Sequence, residues 1–356
     1  MSPTLHLSCA ISSDGYLDDA SPDRAILSSP EDLDAVLAFR AQMDMIVVGA
    51  ETLRRDNPSL ATRGDRHFEM RKAAGRAEHP VKVVVTRGGE IPTDRAFFET
   101  GTDEKIILTQ SPVDNALDTL ATVIQFDGDP IDAVLSLAKD RHHSDILIEG
   151  GAQMLQLALP RAQKLRLAIS PKRLGQTGYA RLTEDVGAFL ERHHVTQTET
   201  LGDTTVHYID LTWSRMNELM VEAFRLSELC PTTDSAFAVG AIACTEDFRV
   251  LSTGYSRETG PKDHAEEAML SKLVVSPDTV VCTLEPCFHR VSKSMGCSER
   301  LLKAGMKRLI YAITEDETFT QQSGLTYLEA NGVELIHLPS FEDRFRRANP
   351  AIYQTA

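Results

Sequence analysis

The sequence predicts a two-domain α/β protein, and three observations support this prediction. Its 356 residues exceed the ~100–200 residues of a typical single domain. Over residues 1–212, short apolar runs alternate with helical patterns, which is typical of a mainly parallel sheet covered by helices. A strongly helical segment at 213–229 then opens a second series of strands and helices. We therefore expect one domain over residues 1–212 and another over residues 213–356.

Turn residues and helix caps define the elements of the first domain. A helix is expected from Ser29 to about Gln42, because Ser29 can cap its N-terminus and Pro30 suits its first position. A second helix is expected at 130–141. Strands are predicted at short apolar runs, namely 5–11, 45–48, 81–86, 105–109, 146–148, 165–169 and 206–211. The last strand follows a turn at Gly202 and Asp203, which allows an antiparallel orientation.

The second domain is predicted to be a layered α/β/α structure. Its strands are expected at 238–244, 249–255, 279–283, 308–314 and 333–336. Helices are expected between them, at 264–273, 298–304 and 319–330.

Composition excludes several classes of function. Asp and Glu number 52 against 37 Lys and Arg, a formal net charge of -15, which disfavours general binding to nucleic acid. The apolar runs fall far short of the ~20 residues that a membrane span requires, and the N-terminus lacks a secretory pattern. Six cysteines in a chain this long do not indicate a disulfide scaffold. We expect a soluble, cytoplasmic protein.

Three segments of the second domain carry a zinc-type pattern. His264 opens a predicted helix, Cys287 follows a predicted strand, and Cys297 begins the next helix. One imidazole and two thiolates leave a fourth tetrahedral position open, as in catalytic zinc sites. Glu266 lies two residues after His264, where it can exchange protons with the water that zinc activates. The pattern matches a zinc deaminase signature except that nine residues, rather than two, separate the cysteines.

Other interpretations of these residues stay open. Cys287 and Cys297 could be buried core thiols, with His264 at the surface. A closed structural zinc site would need a fourth ligand, for which His289 is the nearby candidate. Arg290 and Lys293, in the loop between the cysteines, are either ligands of a substrate phosphate or solvated cations.

The segments around the zinc pattern resemble the deaminase of riboflavin biosynthesis. They read GYSRE from residue 254, HAE from 264, TLEPC from 283 and CSER from 297. The likeness is greater to the fungal form, because the bacterial form carries a different, shorter stretch between its cysteines. The resemblance implies zinc-dependent removal of the 2-amino group of a pyrimidinone, with Glu266 as the proton carrier and His264, Cys287 and Cys297 as ligands.

The first domain resembles the reductase of the same pathway over about residues 4–211. The sequence has no G-x-G-x-x-G and no P-loop, and its glycine signals are short. The resemblance rests on SSDGYL from residue 12, DMIVVGAET from 44, DNPSL from 56, Arg63, EGG from 149 and ISPK from 169. It implies a dihydrofolate-reductase-like fold that uses NADPH.

The reductase resemblance also implies site residues. Gly49, Thr52, Gly150 and Gly151 would line the nicotinamide cofactor, and Asp56, Leu60 and Arg63 would hold the substrate's ribose and phosphate. Thr86 and Arg87, at the end of a predicted strand, are candidates for the adenosine 2′-phosphate on charge alone. Taken singly, these residues are better explained as turn glycines, a turn at Asp56 and a solvated Arg63.

Together the two resemblances predict a bifunctional riboflavin-pathway enzyme that acts on a small phosphorylated pyrimidine. It would reduce the ribosylamino side chain to ribityl with NADPH and deaminate the ring with zinc, with reduction first. The reductase family suggests a homodimer formed through the first domain. The alternatives are the same chemistry in a flavin-like or pteridine-like secondary pathway, a nucleoside or nucleic-acid deaminase with an inert first domain, and a binding module with structural zinc.

Overall fold

A computed structural model of the chain describes residues 3–19, 21, 25–99, 104–233, 236–289, 293–314 and 323–353. The chain divides into two compact units, Met1–Thr212 and Trp213–Ala356. Among the described residues, no helix is both long and apolar enough to cross a membrane.

The first unit alternates strands with short helices. Its strands are β1 (Thr4–Ile11), β2 (Tyr16–Asp19), β3 (Met45–Gly49), β4 (Val81–Thr86), β5 (Lys105–Thr109), β6 (Thr122–Gln125), β7 (Asp145–Gly150), β8 (Lys164–Ile169), β9 (Gly178–Arg181), β10 (His194–Leu201) and β11 (Thr204–Asp210). Its helices are α1 (Pro30–Arg40), α2 (Ala50–Asp56), α3 (Asp65–Ala73), α4 (Ala96–Glu99), α5 (Pro130–Asp140), α6 (Ala152–Ala158) and α7 (Val186–Arg192), with 3-10 turns at Asn115–Thr119 and Gly175–Thr177.

Nine of these strands form one sheet in the order β10-β11-β8-β1-β7-β3-β4-β5-β6. The pairs from β8 to β6 are parallel, whereas β11 is antiparallel to both β8 and β10. Both the mainly parallel sheet and the antiparallel strand after Gly202 are thus confirmed. The carboxyl ends of β7, β3 and β4, which are neighbours, lie along one edge.

Both faces of this sheet are covered, because alternate side chains of a strand point to opposite faces. Met45 and Val47 belong to one buried cluster, with residues of α5 and α6, whereas Ile46 and Val48 belong to a second cluster. Near-continuous apolar strands are the expected result of covering a sheet on both sides. The predicted cap of α1 is confirmed, since the Ser29 hydroxyl accepts a hydrogen bond from the backbone N–H of Asp32 at 3.1 Å.

The second unit is built on a five-stranded sheet in the order β13-β12-β14-β15-β16. Its strands are β12 (Gly240–Cys244), β13 (Val250–Tyr255), β14 (Thr279–Cys282), β15 (Arg308–Tyr311) and β16 (Glu334–His337). Its helices are α8 (Leu211–Ser227), α9 (Ala265–Leu270), α10 (Cys297–Lys303), α11 (Gly324–Ala330), α12 (Glu342–Ala348) and α13 (Pro350–Tyr353), with a 3-10 turn at Pro339–Phe341. Strands β14, β15 and β16 are parallel, and β12 is antiparallel to its neighbours.

Some element bounds differ from those predicted. The strand predicted at 308–314 ends at Tyr311, and the helix predicted at 319–330 is described only from Gly324. Residues 319–322 of that prediction lie outside the described residues. The short helices α2 and α3 were not predicted, because seven to nine residues are too few to establish an apolar period.

Asp14 joins the loop after β1 to the loop after β8. Its carboxylate accepts hydrogen bonds from the Ser12 hydroxyl at 2.7 Å and from the backbone N–H groups of Leu174 and Gly175 at 3.1 and 2.8 Å. Partial burial acts to raise the pKa of Asp14, but these hydrogen bonds lower it to about 2. The ionised carboxylate therefore fixes two loops at the carboxyl edge of the sheet.

Replacing this carboxylate tests its contribution to stability. Asp14→Asn is expected to lower the free energy of unfolding at pH 7 by about 1 kcal/mol, since an amide replaces a charged acceptor. Because the folded-state pKa is depressed, the contribution is present above the unfolded pKa of about 3.9 and is lost as pH falls toward about 2. Urea unfolding of both proteins should show a smaller difference at pH 3 than at pH 7. An equal difference at both pH values would contradict this assignment.

Candidate functional site

The three predicted zinc ligands converge in the second unit. His264 Nδ1 lies 3.6 Å from Cys287 Sγ and 3.4 Å from Cys297 Sγ. All three ligand atoms lie within 4.8 Å of one another. Tetrahedral zinc, with Zn–N of about 2.0–2.1 Å and Zn–S of about 2.3 Å, places such atoms about 3.5–3.8 Å apart. The donor set and its spacing therefore fit one zinc ion.

Three segments deliver these ligands to one place. His264 is the N-cap of α9, Cys287 follows β14 by five residues, and Cys297 is the first residue of α10. Gly254 on β13 allows α9 to lie directly on the strand, because a Cβ there would overlap the backbone of Ala265 and Met269. The turn that carries Cys287 is held by Ser298, whose hydroxyl donates to Pro286 O at 2.8 Å and whose N–H donates to Cys287 O at 3.1 Å.

Glu266 lies next to the ligands and is only 3% exposed. Burial raises the pKa of this carboxyl group, against the opposing charge of His264. The Cys297 hydrogen bond, together with a hydrogen bond involving His264, lowers the pKa of Cys287 to about 4 although burial opposes the shift. The site therefore combines a ready thiolate ligand with a carboxyl group suited to carry a proton near neutral pH.

The loop between the cysteines is tied to the His264 segment. Lys293 Nζ donates to Asp263 at 2.7 Å and to Glu267 at 2.8 Å. Glu267 in turn accepts a hydrogen bond from the backbone N–H of His264 at 3.1 Å. The structure thus gives Lys293 two carboxylate partners, where the sequence predicted a substrate phosphate.

The loop holds two further candidates, Arg290 and His289. Arg290, predicted with Lys293 as a phosphate ligand, lies outside the described residues. His289 is exposed, with its ring against Phe288 at 4.7 Å between centroids. It does not belong to the cluster of potential metal ligands found among the described residues.

In the first unit, four predicted cofactor residues lie together at the carboxyl ends of β3 and β7. A Cβ on Gly150 would lie 2.9 Å from the Thr52 side chain, and a Cβ on Gly151 would lie 3.4 Å from Gly49 Cα. Gly151 also has a φ of 81°, which disfavours other residues. Three glycines and a threonine thus form a closely packed shelf at this edge, in which Gly49 and Gly150 are buried and Gly151 and Thr52 are half-buried. Such a shelf fits the close approach of a dinucleotide phosphate.

Thr86 and Arg87 end β4, the strand next to β3. Arg87 Nη2 donates to Gln153 Oε1 at 2.5 Å, two residues beyond Gly151, so its guanidinium lies beside the glycine shelf. The Thr86 hydroxyl accepts the backbone N–H of Gly89 at 3.2 Å and is buried in its own turn. Arg87 is therefore the better placed of the two for an anionic group.

The predicted substrate residues follow α2. Asp56 is the last residue of that helix, and Leu60 and Arg63 lie in the loop of residues 57–63. Leu60 is fully buried with a φ of 52°, and Arg63 Nη2 donates to the Ser59 hydroxyl at 2.9 Å. The structure thus places Leu60 and Arg63 in one constrained loop.

The sequence analysis missed an ion pair beside the glycine shelf. Glu149 directly precedes Gly150, and its carboxylate accepts two hydrogen bonds from Arg40 Nε at 2.9 and 2.7 Å. The Glu149 side chain is only 6% exposed. A charged residue within the apolar run of β7 was a signal, but its partner at the end of α1 could be found only in the folded chain.

Each of the two units matches a family of known proteins. The profile of the RibD C-terminal domain matches residues 3–206. The profile of the cytidine and deoxycytidylate deaminase zinc-binding region matches residues 214–313. The chain is thus a two-domain protein in which a reductase-type domain precedes a zinc deaminase-type domain. Because the first match covers more than half of the chain, the protein belongs to the RibD C-terminal domain family. The module whose name places it at the C-terminus comes first here, the reverse of the bacterial RibD order.

Individual relatives cover one unit each. The chain is 32% identical over 133 residues to the diaminohydroxyphosphoribosylamino-pyrimidine deaminase of Schizosaccharomyces pombe, which is 35% of this chain and 33% of that protein. It is 24% identical over 210 residues to the 2,5-diamino-6-ribosylamino-4(3H)-pyrimidinone 5′-phosphate reductase of Archaeoglobus fulgidus, 57% of this chain and 95% of that one. The chain therefore spans only a third of the yeast deaminase.

A solved structure shows the same fold as the first unit. The pyrimidine reductase-like protein of Corynebacterium diphtheriae covers 58% of this chain, and 91% of that chain is matched, with a TM-score of 0.50 and 19% identity. This likeness bears on the fold, and it agrees with the predicted mainly parallel sheet.

Loss of one thiolate is expected to abolish tight zinc binding. Cys287→Ser and Cys297→Ser should each weaken the zinc affinity by more than about tenfold, because a hydroxyl is a poor substitute for a thiolate ligand. Zinc content after competition with a chelator measures this. Cys230→Ser is the matched control, since Cys230 lies in the same unit outside the cluster. His289→Ala should keep its zinc, and zinc loss in that variant would indicate a closed structural site.

Proposed function

We propose that the protein is a bifunctional enzyme of riboflavin biosynthesis. Its first domain, residues 1–212, reduces the ribosylamino side chain of a diaminopyrimidinone 5′-phosphate to ribityl with NADPH. Its second domain, residues 213–356, hydrolyses the 2-amino group of the ring. The observation that carries the proposal is the convergence of His264, Cys287 and Cys297 beside the buried Glu266.

For deamination, the chain supplies three ligands and a proton carrier. Zinc, when bound by these ligands, lowers the pKa of water to about 7 and so provides the nucleophile. Glu266 takes a proton from the attacking water and delivers it to the departing amino nitrogen, so that water and the amine become a ring carbonyl and ammonia. Burial raises the pKa of Glu266, which favours its holding the proton between the two transfers.

For reduction, the first domain binds and orients two molecules. NADPH, when bound, supplies the hydride, and C1′ of the open-chain imine of the substrate accepts it. We assign Gly49, Gly150, Gly151 and Thr52 to the cofactor. We assign Arg87, in preference to Thr86, to the adenosine 2′-phosphate. Asp56 would contact the ribose, and Leu60 and Arg63 the phosphorylated end, where a guanidinium can bind phosphate through two nitrogens. In the second domain, we assign Arg290 to the substrate phosphate and Lys293 to anchoring its loop.

The proposal places reduction before deamination. Two features support this order: the reductase-type domain comes first, and the deaminase segment resembles the fungal form. We also place the enzyme in the cytoplasm, because its six cysteines are free thiols and disulfides are rare in a reducing compartment.

Product mass tests both activities and their order. Zinc-loaded protein is given the diamino-ribosylamino-pyrimidinone phosphate with or without NADPH. A gain of about two mass units reports reduction, and a gain of about one reports replacement of an amino group by oxygen. We expect deamination only when NADPH is present. Deamination without NADPH would overturn the order, and an unchanged mass in both tubes would overturn the substrate.

Glu266→Gln separates the two activities within one chain. Deamination should fall by about 10²–10⁴-fold, because the amide cannot carry a proton, whereas zinc content and NADPH oxidation should stay at the wild-type level. The measurement uses the chemically reduced substrate, so that deamination does not depend on the first domain. Full deamination by this variant would remove Glu266 from the mechanism.

We further propose that the protein forms a homodimer through α1 of the first domain. Asp32 is the buried residue of this helix, whereas Leu33 is 48% exposed and residues 35–39 are half-buried despite their apolar character. Apolar side chains that stay half-buried or exposed on a surface helix are typical of an interface between copies. Light scattering should give twice the mass of the chain, and Leu33→Glu should reduce it toward the monomer. A monomeric wild-type protein would contradict the proposal.

A further inference from the structure

A fully buried lysine connects the central sheet to the loop of residues 57–63. Lys82 lies on β4 with 0% exposure. Its ammonium group donates to Ser59 O at 3.1 Å and to Phe97 O at 3.0 Å, and it lies 5.7 Å from the centre of the Phe97 ring. Removing a charged ammonium from water is costly, so a buried lysine is retained only where its hydrogen bonds compensate.

The loop that Lys82 holds has a strained backbone. Asn57 and Leu60 have φ values of 46° and 52°. The left-handed region is unfavourable for a side chain as bulky as that of Leu60. Such conformations persist where surrounding contacts over-determine them, and they concentrate at functional sites.

Further side chains fix the same loop at other points. Asn57 Oδ1 accepts the backbone N–H of Ala96 at 2.8 Å, and His79 Nδ1 accepts that of Thr62 at 3.1 Å. Arg63 donates to the Ser59 hydroxyl at 2.9 Å. Lys82 therefore binds the backbone carbonyl of Ser59, whose hydroxyl accepts the hydrogen bond from Arg63. It thereby connects Ser59 to strand β4.

We propose that Lys82 is a positioning residue for substrate binding in the first domain. By holding the Ser59 carbonyl, it keeps Leu60 and Arg63 in the geometry that receives the phosphorylated ribose. The ammonium of Lys82 is directed to the Ser59 and Phe97 carbonyls, so it acts on substrate binding through the loop rather than by contact. This inference rests on the proposed reductase function, from which it takes the substrate.

Lys82→Met tests the role with a side chain of similar length that has no charge and no donor. The KM for the phosphorylated substrate should rise by about 10–100-fold, because small displacements of binding groups have effects of this size. The KM for NADPH should change by less than about twofold, since the glycine shelf lies at the ends of β3 and β7 and Arg87, which follows β4, bonds to Gln153 rather than to the loop of residues 57–63. Lys82→Gln, which retains a donor, should recover part of the substrate affinity, and it replaces the Met variant if that one fails to fold.

Arg71→Met is the matched control. Arg71 is also a buried cation of the first unit, 1% exposed, but it donates to the carbonyls of Met43 and Ala77, each at 2.6 Å. This variant should lose stability without a selective rise in the substrate KM. Equal KM values in the two Met variants would overturn the positioning role.

Two further measurements separate this inference from the proposed function. In a double-mutant cycle, Lys82→Met and Arg63→Ala should affect the substrate KM non-additively, whereas Arg71→Met and Arg63→Ala should add. Amide hydrogen exchange without substrate should speed up selectively at residues 59–63 in Lys82→Met. If exchange there is unchanged, Lys82 does not hold the loop. If exchange changes but the wild-type protein shows no reduction, the proposed function fails and the loop contact stands.

Discussion

Parallel strand pairing is the constraint on which the first unit depends. When β7, β3 and β4 pair in parallel, their carboxyl ends meet at one edge, and the chain turns there into α6, α2 and the loop after β4. Residues that are a hundred positions apart in the sequence, such as Gly49 and Gly150, become neighbours for this reason alone. Because apolar residues cover both faces of this part of the sheet, the edge is rigid, and side chains that extend from it start from fixed positions.

Polar groups then attach loops and helix ends to this edge of the sheet. The Arg40–Glu149 pair joins the end of α1 to the end of β7, Asp14 joins two loops, and Lys82 joins β4 to the loop after α2. Each of these groups places a charge where desolvation opposes it, and each compensates through several hydrogen bonds. Because the desolvation cost offsets most of the favourable interaction, such groups add little to the stability of the fold. Their effect is to hold loops in defined positions.

In the second unit, a five-stranded sheet likewise positions the side chains of a candidate site. Its sheet positions α9 and the turn after β14, and Ser298 and Lys293 then bring the two cysteine segments to His264. The nine-residue separation of the cysteines is accommodated because ligand geometry depends on where each segment begins, and both begin at the same edge. Two cysteines separated by two residues on one helical turn are thus one of several arrangements that can present a pair of thiolate ligands.

The sequence by itself determined the fold class, the Ser29 helix cap, most strands and the three side chains of the candidate zinc site. These features are local, because apolar periodicity, a Ser-Pro helix start and a His-x-Glu pattern act over a few residues. It also indicated the glycines at the carboxyl ends of β3 and β7, whereas their proposed role in cofactor binding came from the resemblance. Only the tertiary structure decided which side chains meet: the partners of Glu149, Lys293 and Lys82 lie 15 to 109 positions away along the chain. No local pattern encodes such pairs, since they arise when packing brings separate elements together and buried charges must find partners.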